Sequence, residues 1–440
     1  MSSTSHASHL ASPSALRELF LDTAFSIGAR LCRDALWDGR RCTWLGPSSE
    51  HVDGDWKVVP RTYGPELYHG TAGNALFLGR LFQAVQDPVL RAVAEGAMRQ
   101  ALSRRHTIAP AMRSGFYTGW SGLAHVCVEL GEVLADARWT DEGLRLFRDL
   151  RHEDLDDQAI DVLAGYAGGL AALLRAHHRL SPFRVAGELD DLLDLATRFG
   201  DKLLDLATER AEGLSWDTMQ GSAQDHLTGF SHGTAGIAWA LLELGEATGE
   251  ARFRAAGLEG FRYERSWLDS AEENWPDLRD PDILQMPRNP NADGFTLTYP
   301  FLWCHGAPGI GLSRLRGWQI TGEDVLRQEA EIALRSTGRD LESQAPSVGN
   351  YSLCHGFAGN AELLIYGSQV LGEAAYRRAA EQVGLRGIRR HGGADGVWPS
   401  GMRDAHEAPN LMLGTAGTGY FYLRLHDPET VPPILILPRA

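Results

Sequence analysis

Ser231-His-Gly-Thr-Ala-Gly-Ile-Ala-Trp-Ala-Leu-Leu-Glu-Leu244 sets a pair of glycines in front of an apolar run. The run after Gly236 is apolar nearly all round a helix, as a fully buried helix must be. The same form, G-x-x-G and then an apolar run, occurs seven times: Gly70-Thr-Ala-Gly73, Gly119-Trp-Ser-Gly122, Gly165-Tyr-Ala-Gly168, Gly233-Thr-Ala-Gly236, Gly306-Ala-Pro-Gly309, Gly356-Phe-Ala-Gly359 and Gly414-Thr-Ala-Gly417. Successive second glycines are 49, 46, 68, 73, 50 and 58 residues apart, and self-similarity at such a period marks a solenoid, a propeller or a closed array. Between the runs lie amphipathic charged stretches, such as Ala251 to Glu264 and Val325 to Glu342, which read as outer helices with one wet face. Each repeat is then one outer and one inner helix. Seven inner helices lining a ring predict an all-α fold, a double-layered α/α toroid of about seven helix pairs. The glycines stand where inner helices begin, where missing side chains let backbones approach and positive φ becomes accessible.

Composition bounds the rest. With 440 residues and 43% apolar content the chain can bury a large core. Length alone admits two or three domains. The repeat favours a single one, 15–440, behind a Ser-, His- and Ala-rich tail, 1–14, read as disordered. That tail lacks the basic start and apolar stretch of a secretory signal, and no run approaches the 18 apolar residues of a membrane span. Five cysteines are odd in number and sparse, which argues against a disulfide framework and for a reducing cytoplasm. Lys and Arg number 42 against 57 acids, a net charge of -15; a phosphate-binding surface needs the opposite sign, so nucleic acid is not an expected partner. Two segments break the rhythm, 39–66 and the proline-rich 266–300. A long irregular insert in a compact repeat reads as a lid or binding loop.

Two repeats carry Cys-His-Gly at the same phase, Cys304-His305-Gly306 and Cys354-His355-Gly356. In a ring, equal phase means equal height on one rim, so cysteines 50 residues apart can meet. Thiolate and imidazole are the natural ligands of zinc, and three protein ligands leave the fourth position open, as catalytic zinc sites do. The spacing is not that of a zinc finger, and two buried cysteines acting as small hydrophobes are the alternative. His232 and His69 share the phase; each either faces the same cavity or is structural. Asp161, beside Val162, Leu163 and Ala164, is an acid–base group, an orienter of one, or a helix cap.

Taken together, Tyr68-His-Gly-Thr-Ala-Gly73, Ser231-His-Gly-Thr-Ala-Gly236, Trp303-Cys-His-Gly-Ala-Pro-Gly309 and Leu353-Cys-His-Gly-Phe-Ala-Gly-Asn360 resemble the lanthionine synthetase C-like cyclases, over roughly residues 15–437. Ile27-Gly-Ala-Arg-Leu-Cys32, Asn274-Trp-Pro-Asp-Leu-Arg279 and the stretch from Leu413 to Pro428 resemble the cyclase half of the class II lanthipeptide synthetases. The resemblance implies an α/α toroid with Zn2+ at its centre, held by Cys304, Cys354 and His355. His232 and Asp161 fall on acid–base positions, and His305 on a position filled by Tyr or His and counted as catalytic. The sequence departs at Pro300, four residues before Cys304, where some members have Arg; Arg279 or Arg288 from the insert is the available substitute.

The implied reaction is thioether ring formation. A cysteine of a dehydrated precursor peptide adds to dehydroalanine or dehydrobutyrine, and His232 protonates the enolate. No dehydratase or kinase segment precedes the cyclase motifs, so the dehydratase is an expected separate partner, and a stand-alone cyclase and an isolated domain both stay open. Two rivals also stay open: addition of glutathione to dehydroamino acids in proteins, and a non-catalytic zinc-binding scaffold that binds a peptide. A carbohydrate-active toroid would need paired carboxylates where this sequence has Cys and His.

Overall fold

The computed structural model describes residues 12–439, other than 53–54, 155, 222, 224, 280–296, 346, 348, 394–395 and 403–406. Every glycine pair starts a helix. The inner helices are α2 (Thr71–Val85), α4 (Trp120–Val133), α6 (Tyr166–Leu180), α8 (Thr234–Thr248), α10 (Ala307–Thr321), α12 (Phe357–Leu371) and α14 (Thr415–His426). In each, the first glycine is the N-cap and no side chain caps the helix. The second glycine answers a steric demand: a Cβ on Gly309 would run into the Trp303 carbonyl, and one on Gly359 into that of Leu353. Each inner helix thus folds back tightly on the turn that feeds it. Gly306 adds a positive φ of 99°, open to glycine at little cost.

The outer layer is α1 (Pro13–Asp34), α3 (Pro88–Arg104), α5 (Ala137–Asp149), α7 (Asp190–Asp205), α9 (Ala251–Ser266), α11 (Asp324–Ser343) and α13 (Ala374–His391). Six of these follow and cover the inner helix before them. The seventh inner helix, α14, has no helix after it and is covered by α1 from the other end of the chain. Inner helices neighbour one another in chain order, and α14 returns to α2. The seven helix pairs close as expected.

A girdle of backbone hydrogen bonds ties the turns together. Each bond ends on the residue two before the N-cap glycine. Cys354 N–H donates to Met412 (3.0 Å), Met412 to Tyr68 (2.9 Å), Tyr68 to Tyr117 (2.8 Å), Tyr117 to Leu163 (3.0 Å), Leu163 to Ser231 (3.2 Å) and Ser231 to Cys304 (3.3 Å). Equal phase therefore does mean equal height. At the seventh joint, between Cys304 and Cys354, no backbone bond is made among the described residues; Asn360 Nδ2 donates to the Phe301 carbonyl there (2.6 Å).

Three expectations need correction. The inner helices are not apolar all round: ten residues after each N-cap glycine stand Arg80, Glu129, Arg175, Glu243, Arg316, Tyr366 and Arg424, a second layer about 15 Å along the helices. Arg80 pairs with Glu129, Glu129 lies 3.9 Å from Arg175, Arg316 pairs with Glu243 at 2.6 Å, and Arg424 with Glu362 at 2.6 Å. The boundary at residue 14 falls inside α1, because Pro13 at N1 and the Ser12 cap start the helix earlier. Part of the insert 266–300 is core: 274–278 are buried, whereas 270–272 are exposed. Trp275 is fully buried, and Asn274 ties the Tyr299 and Pro300 carbonyls to the Ala307 N–H at the start of α10. Residues 280–296, with Arg288, lie outside the described residues. The insert 39–66 is largely two antiparallel hairpins, β1 (Leu36–Asp38) with β2 (Arg41–Thr43) and β3 (Leu45–Val52) with β4 (Asp55–Thr62); a third pairs β5 (Thr208–Arg210) with β6 (Gly213–Ser215).

Candidate metal centre

The turns before α10 and α12 bring Cys304, Cys354 and His355 together, with one ligand atom from each lying within 4.8 Å of the others. Both cysteines are buried. The nearness of the two thiols, with burial, raises the Cys304 pKa, and the same nearness lowers that of Cys354 against the effect of burial. The nearby Tyr68 hydroxyl and the positive charge of Arg279 also lower the Cys354 pKa. One thiol of the pair is thus set to ionise first.

His355 is oriented from behind. Its Nε2–H donates to the Gly401 carbonyl at 2.6 Å, which fixes the tautomer and leaves Nδ1 with the free lone pair. The Gly401 N–H in turn donates to the Leu413 carbonyl at 2.7 Å. A Cβ on Gly401 would stand 2.5 Å from His355 Nε2, so this position admits only glycine without moving the ring. Two thiols, one imidazole with a fixed tautomer and a buried setting form a donor set that fits zinc.

Beside the trio stand the other predicted residues. His232 Nδ1 donates to Asp161 Oδ2 at 2.6 Å, while Asp161 Oδ1 accepts from the Ala164 N–H at 2.7 Å. Asp161 therefore orients His232, and its second oxygen holds the turn before α6 without capping the helix, the alternative the sequence leaves open. Burial works against a charged His232, but the charge and hydrogen bond of Asp161 outweigh it and the pKa is raised. The His232 side chain keeps 31% exposure, enough for the ring to face a ligand.

His305 behaves oppositely. It is fully enclosed, and burial, reinforced by Arg279, drives its pKa down to about 3. Neither ring nitrogen has a partner at hydrogen-bonding geometry, although the Thr228 backbone is close enough to favour the protonated form slightly. Asp277 Oδ1 lies 3.8 Å from its Nδ1, and its ring stacks on His232 with centroids 6.1 Å apart. His305 is a neutral imidazole beneath His232. His69 is half exposed and lies 3.1 Å from Glu66.

Arg279, one of the two arginines left open by the sequence, reaches this neighbourhood. Asp277 holds its Nε at 3.0 Å and Nη2 at 2.6 Å, and its charge acts on both cysteines and on His232, His305 and His355. Sequence reasoning missed Tyr68, Asp277 and Gly401. Tyr68 occupies the same phase as the two cysteines, so the repeat count would have found it. Gly401 lies on no repeat, and nothing local marks it.

Comparison with known proteins bears on this geometry. The family described as lanthionine synthetase C-like protein matches residues 62–436. A Danio rerio protein named glutathione S-transferase LANCL1 is 25% identical over 362 residues, covering 71% of this chain and 82% of that one. The structure of nisin cyclase superposes with a TM-score of 0.58 at 19% identity, covering 83% of this chain and 88% of its own. At that identity the likeness speaks for the fold.

Proposed function

Because the chain belongs to the lanthionine synthetase C-like family, we propose that it is a zinc-dependent cyclase forming thioether rings in a dehydrated precursor peptide. The observation that carries this reading is the convergence of Cys304, Cys354 and His355 within 4.8 Å, beside a His232 whose proton is held by Asp161.

Zinc, when bound by Cys304, Cys354 and His355, would supply the positive charge that keeps a substrate thiol ionised near neutral pH. Every other part belongs to the chain. Tyr68 and Arg279 favour the thiolate of Cys354, and Gly401 holds His355 with its lone pair turned to the trio. The substrate sulfur forms a bond to the β-carbon of the dehydroamino acid, and the π pair moves into an enolate. His232 gives its Nε2 proton to the α-carbon, and the proton lost by the substrate thiol restores it. Asp161 keeps His232 protonated and aimed. Neutral His305 cannot compete as an acid and serves to stack under His232. The dehydroamino acid comes from a prior dehydration of Ser or Thr in the precursor peptide. Among the described residues no helix is long and apolar enough to cross a membrane. A reducing cytoplasm, which keeps the five cysteines as the thiols seen here, is part of the proposal.

The relative named glutathione S-transferase favours one second reading, addition of glutathione to the same acceptor. Incubation with a dehydrated cysteine-containing peptide, and separately with glutathione and a dehydroalanine peptide, distinguishes them. Cyclisation leaves mass unchanged and consumes the peptide's own thiol; the rival adds the mass of glutathione. No thiol loss in either arm removes the enzymatic reading and leaves a peptide-binding scaffold.

A further inference from the structure

The segment 428–439 runs from exposed Glu429 and Thr430 into the ring, where 434–438 are buried. Ile434, Leu435, Ile436 and Leu437 are between 0% and 4% exposed. The segment starts at the far end of α14, where Arg424 Nη1 donates to the carbonyls of Pro428 and Val431, both at 2.7 Å, and the Tyr420 hydroxyl donates to that of Pro432 at 2.8 Å. It leaves on the same side, where Arg175 Nη1 donates to Pro438 O at 2.9 Å and Arg439 lies 3.9 Å from Glu246 near the end of α8. Between these anchors it rises to the level of the glycine turns. Buried Pro438 brings no N–H that would need a partner in a dry channel.

At the apex two consecutive carbonyls take two consequential donors. Ile434 O accepts from the Tyr117 hydroxyl at 2.7 Å, and Leu435 O from Trp303 Nε1 at 2.8 Å. Trp303 is fully buried and immediately precedes Cys304. The carbonyl of Tyr117 accepts the Tyr68 N–H at 2.8 Å, and the Tyr68 side chain is close enough to Cys354 to act on its thiol. The Tyr117 and Trp303 rings meet edge to face with centroids 5.1 Å apart. One tail carbonyl thus stands behind each cysteine.

We propose that residues 428–439 form an internal plug that positions the two cysteines from below, Leu435 acting through Trp303 on Cys304 and Ile434 acting through Tyr117 and Tyr68 on Cys354. The plug also closes the far mouth of the ring, so a peptide reaches the centre and leaves it by the glycine rim alone. This deepens the proposed function, since the positioned groups are the intended metal ligands.

The test uses the whole 440-residue chain freed of metal, so that it does not depend on the cyclase reading. Tyr117→Phe keeps its ring and deletes the hydroxyl donor; Trp303→Phe keeps an aromatic side chain, smaller than the indole, and deletes the Nε1–H donor. Tyr420→Phe deletes a plug bond far from the cysteines and controls for general loosening. Alkylation of Cys304 and Cys354 by iodoacetamide is followed by mass spectrometry. The expected result is about fivefold faster modification of Cys304 in Trp303→Phe and of Cys354 in Tyr117→Phe, the change one lost hydrogen bond of ordinary strength brings, with wild-type rates in Tyr420→Phe. In the cobalt-loaded proteins the absorption bands should shift in the first two variants and not in the third. Unchanged rates in Trp303→Phe and Tyr117→Phe overturn the plug as a positioning element. Equal acceleration in all three variants overturns it as well, by making the effect general. Failure of the wild type to bind cobalt would count against the metal centre alone.

Discussion

Asp161 and His232 come from turns of adjacent repeats, and their side chains meet at 2.6 Å with His232 Nδ1 as donor. The contact decides the protonation of His232, because burial alone would lower its pKa and the carboxylate reverses that. As a general acid His232 must carry its proton, so turnover should be steady at low pH and fall as pH rises through a pKa above the ordinary histidine value. Asp161→Asn keeps an oxygen for the Ala164 N–H but removes the charge. Burial then dominates, and the alkaline fall should move to lower pH. A profile of thiol loss against pH checks this; an unmoved limb in Asp161→Asn would remove His232 as the titrating acid.

His232→Asn should retain metal and fold and slow ring formation by ~10²–10⁴-fold, the range for a lost general acid. Metal content, melting temperature and thiol loss measured on one preparation separate the roles. Loss of metal would place His232 among the ligands, and an unchanged rate would make it structural.

Gly401→Ala puts a methyl 2.5 Å from His355 Nε2. The ring must shift and its tautomer is no longer fixed by the Gly401 carbonyl. Metal affinity should fall about 10–100-fold, as when a group orienting a ligand is lost, with little change in melting temperature. Competition against a chromogenic chelator measures it, and wild-type affinity would show that the carbonyl contact is dispensable.

Below the metal centre, Glu129 is buried against Arg80, and Arg179 also reaches it at 2.5 Å. Glu129→Ala leaves buried guanidinium charge unpaired and should cost about 3–5 kcal/mol in denaturant unfolding. Glu259→Ala, which removes an exposed pair with Arg262, should cost under about 1 kcal/mol. Comparable values for the two would mean that the inner layer of ion pairs is solvated.

The ring was legible because the glycine pairs are a counting device: each marks a helix start, and equal phase became equal height through the backbone girdle. Cys304, Cys354, His355 and His232 followed from that count. Extending the same count to ten residues past each first glycine would have shown Arg80, Glu129, Arg175, Glu243 and Arg316 as a second layer. It was masked because single charges hardly perturb a helix that is otherwise apolar. Three features carry no local signal at all. The cover of α14 by α1, the seating of Leu435 under Trp303 and the support of His355 by Gly401 join segments whose meeting depends on ring closure. Asn274 and Trp275 read as part of a loop because their proline-rich surroundings hide that both are buried.

The claim on which the rest depends is the metal centre, and zinc content per chain tests it most directly. The wild type should hold about one zinc per chain, as should Cys32→Ala, Cys42→Ala and Cys127→Ala, whose cysteines lie outside the trio. Cys304→Ala, Cys354→Ala and His355→Ala should each lose most of it while remaining folded by melting temperature. Full zinc retention in Cys354→Ala would contradict the site as assigned.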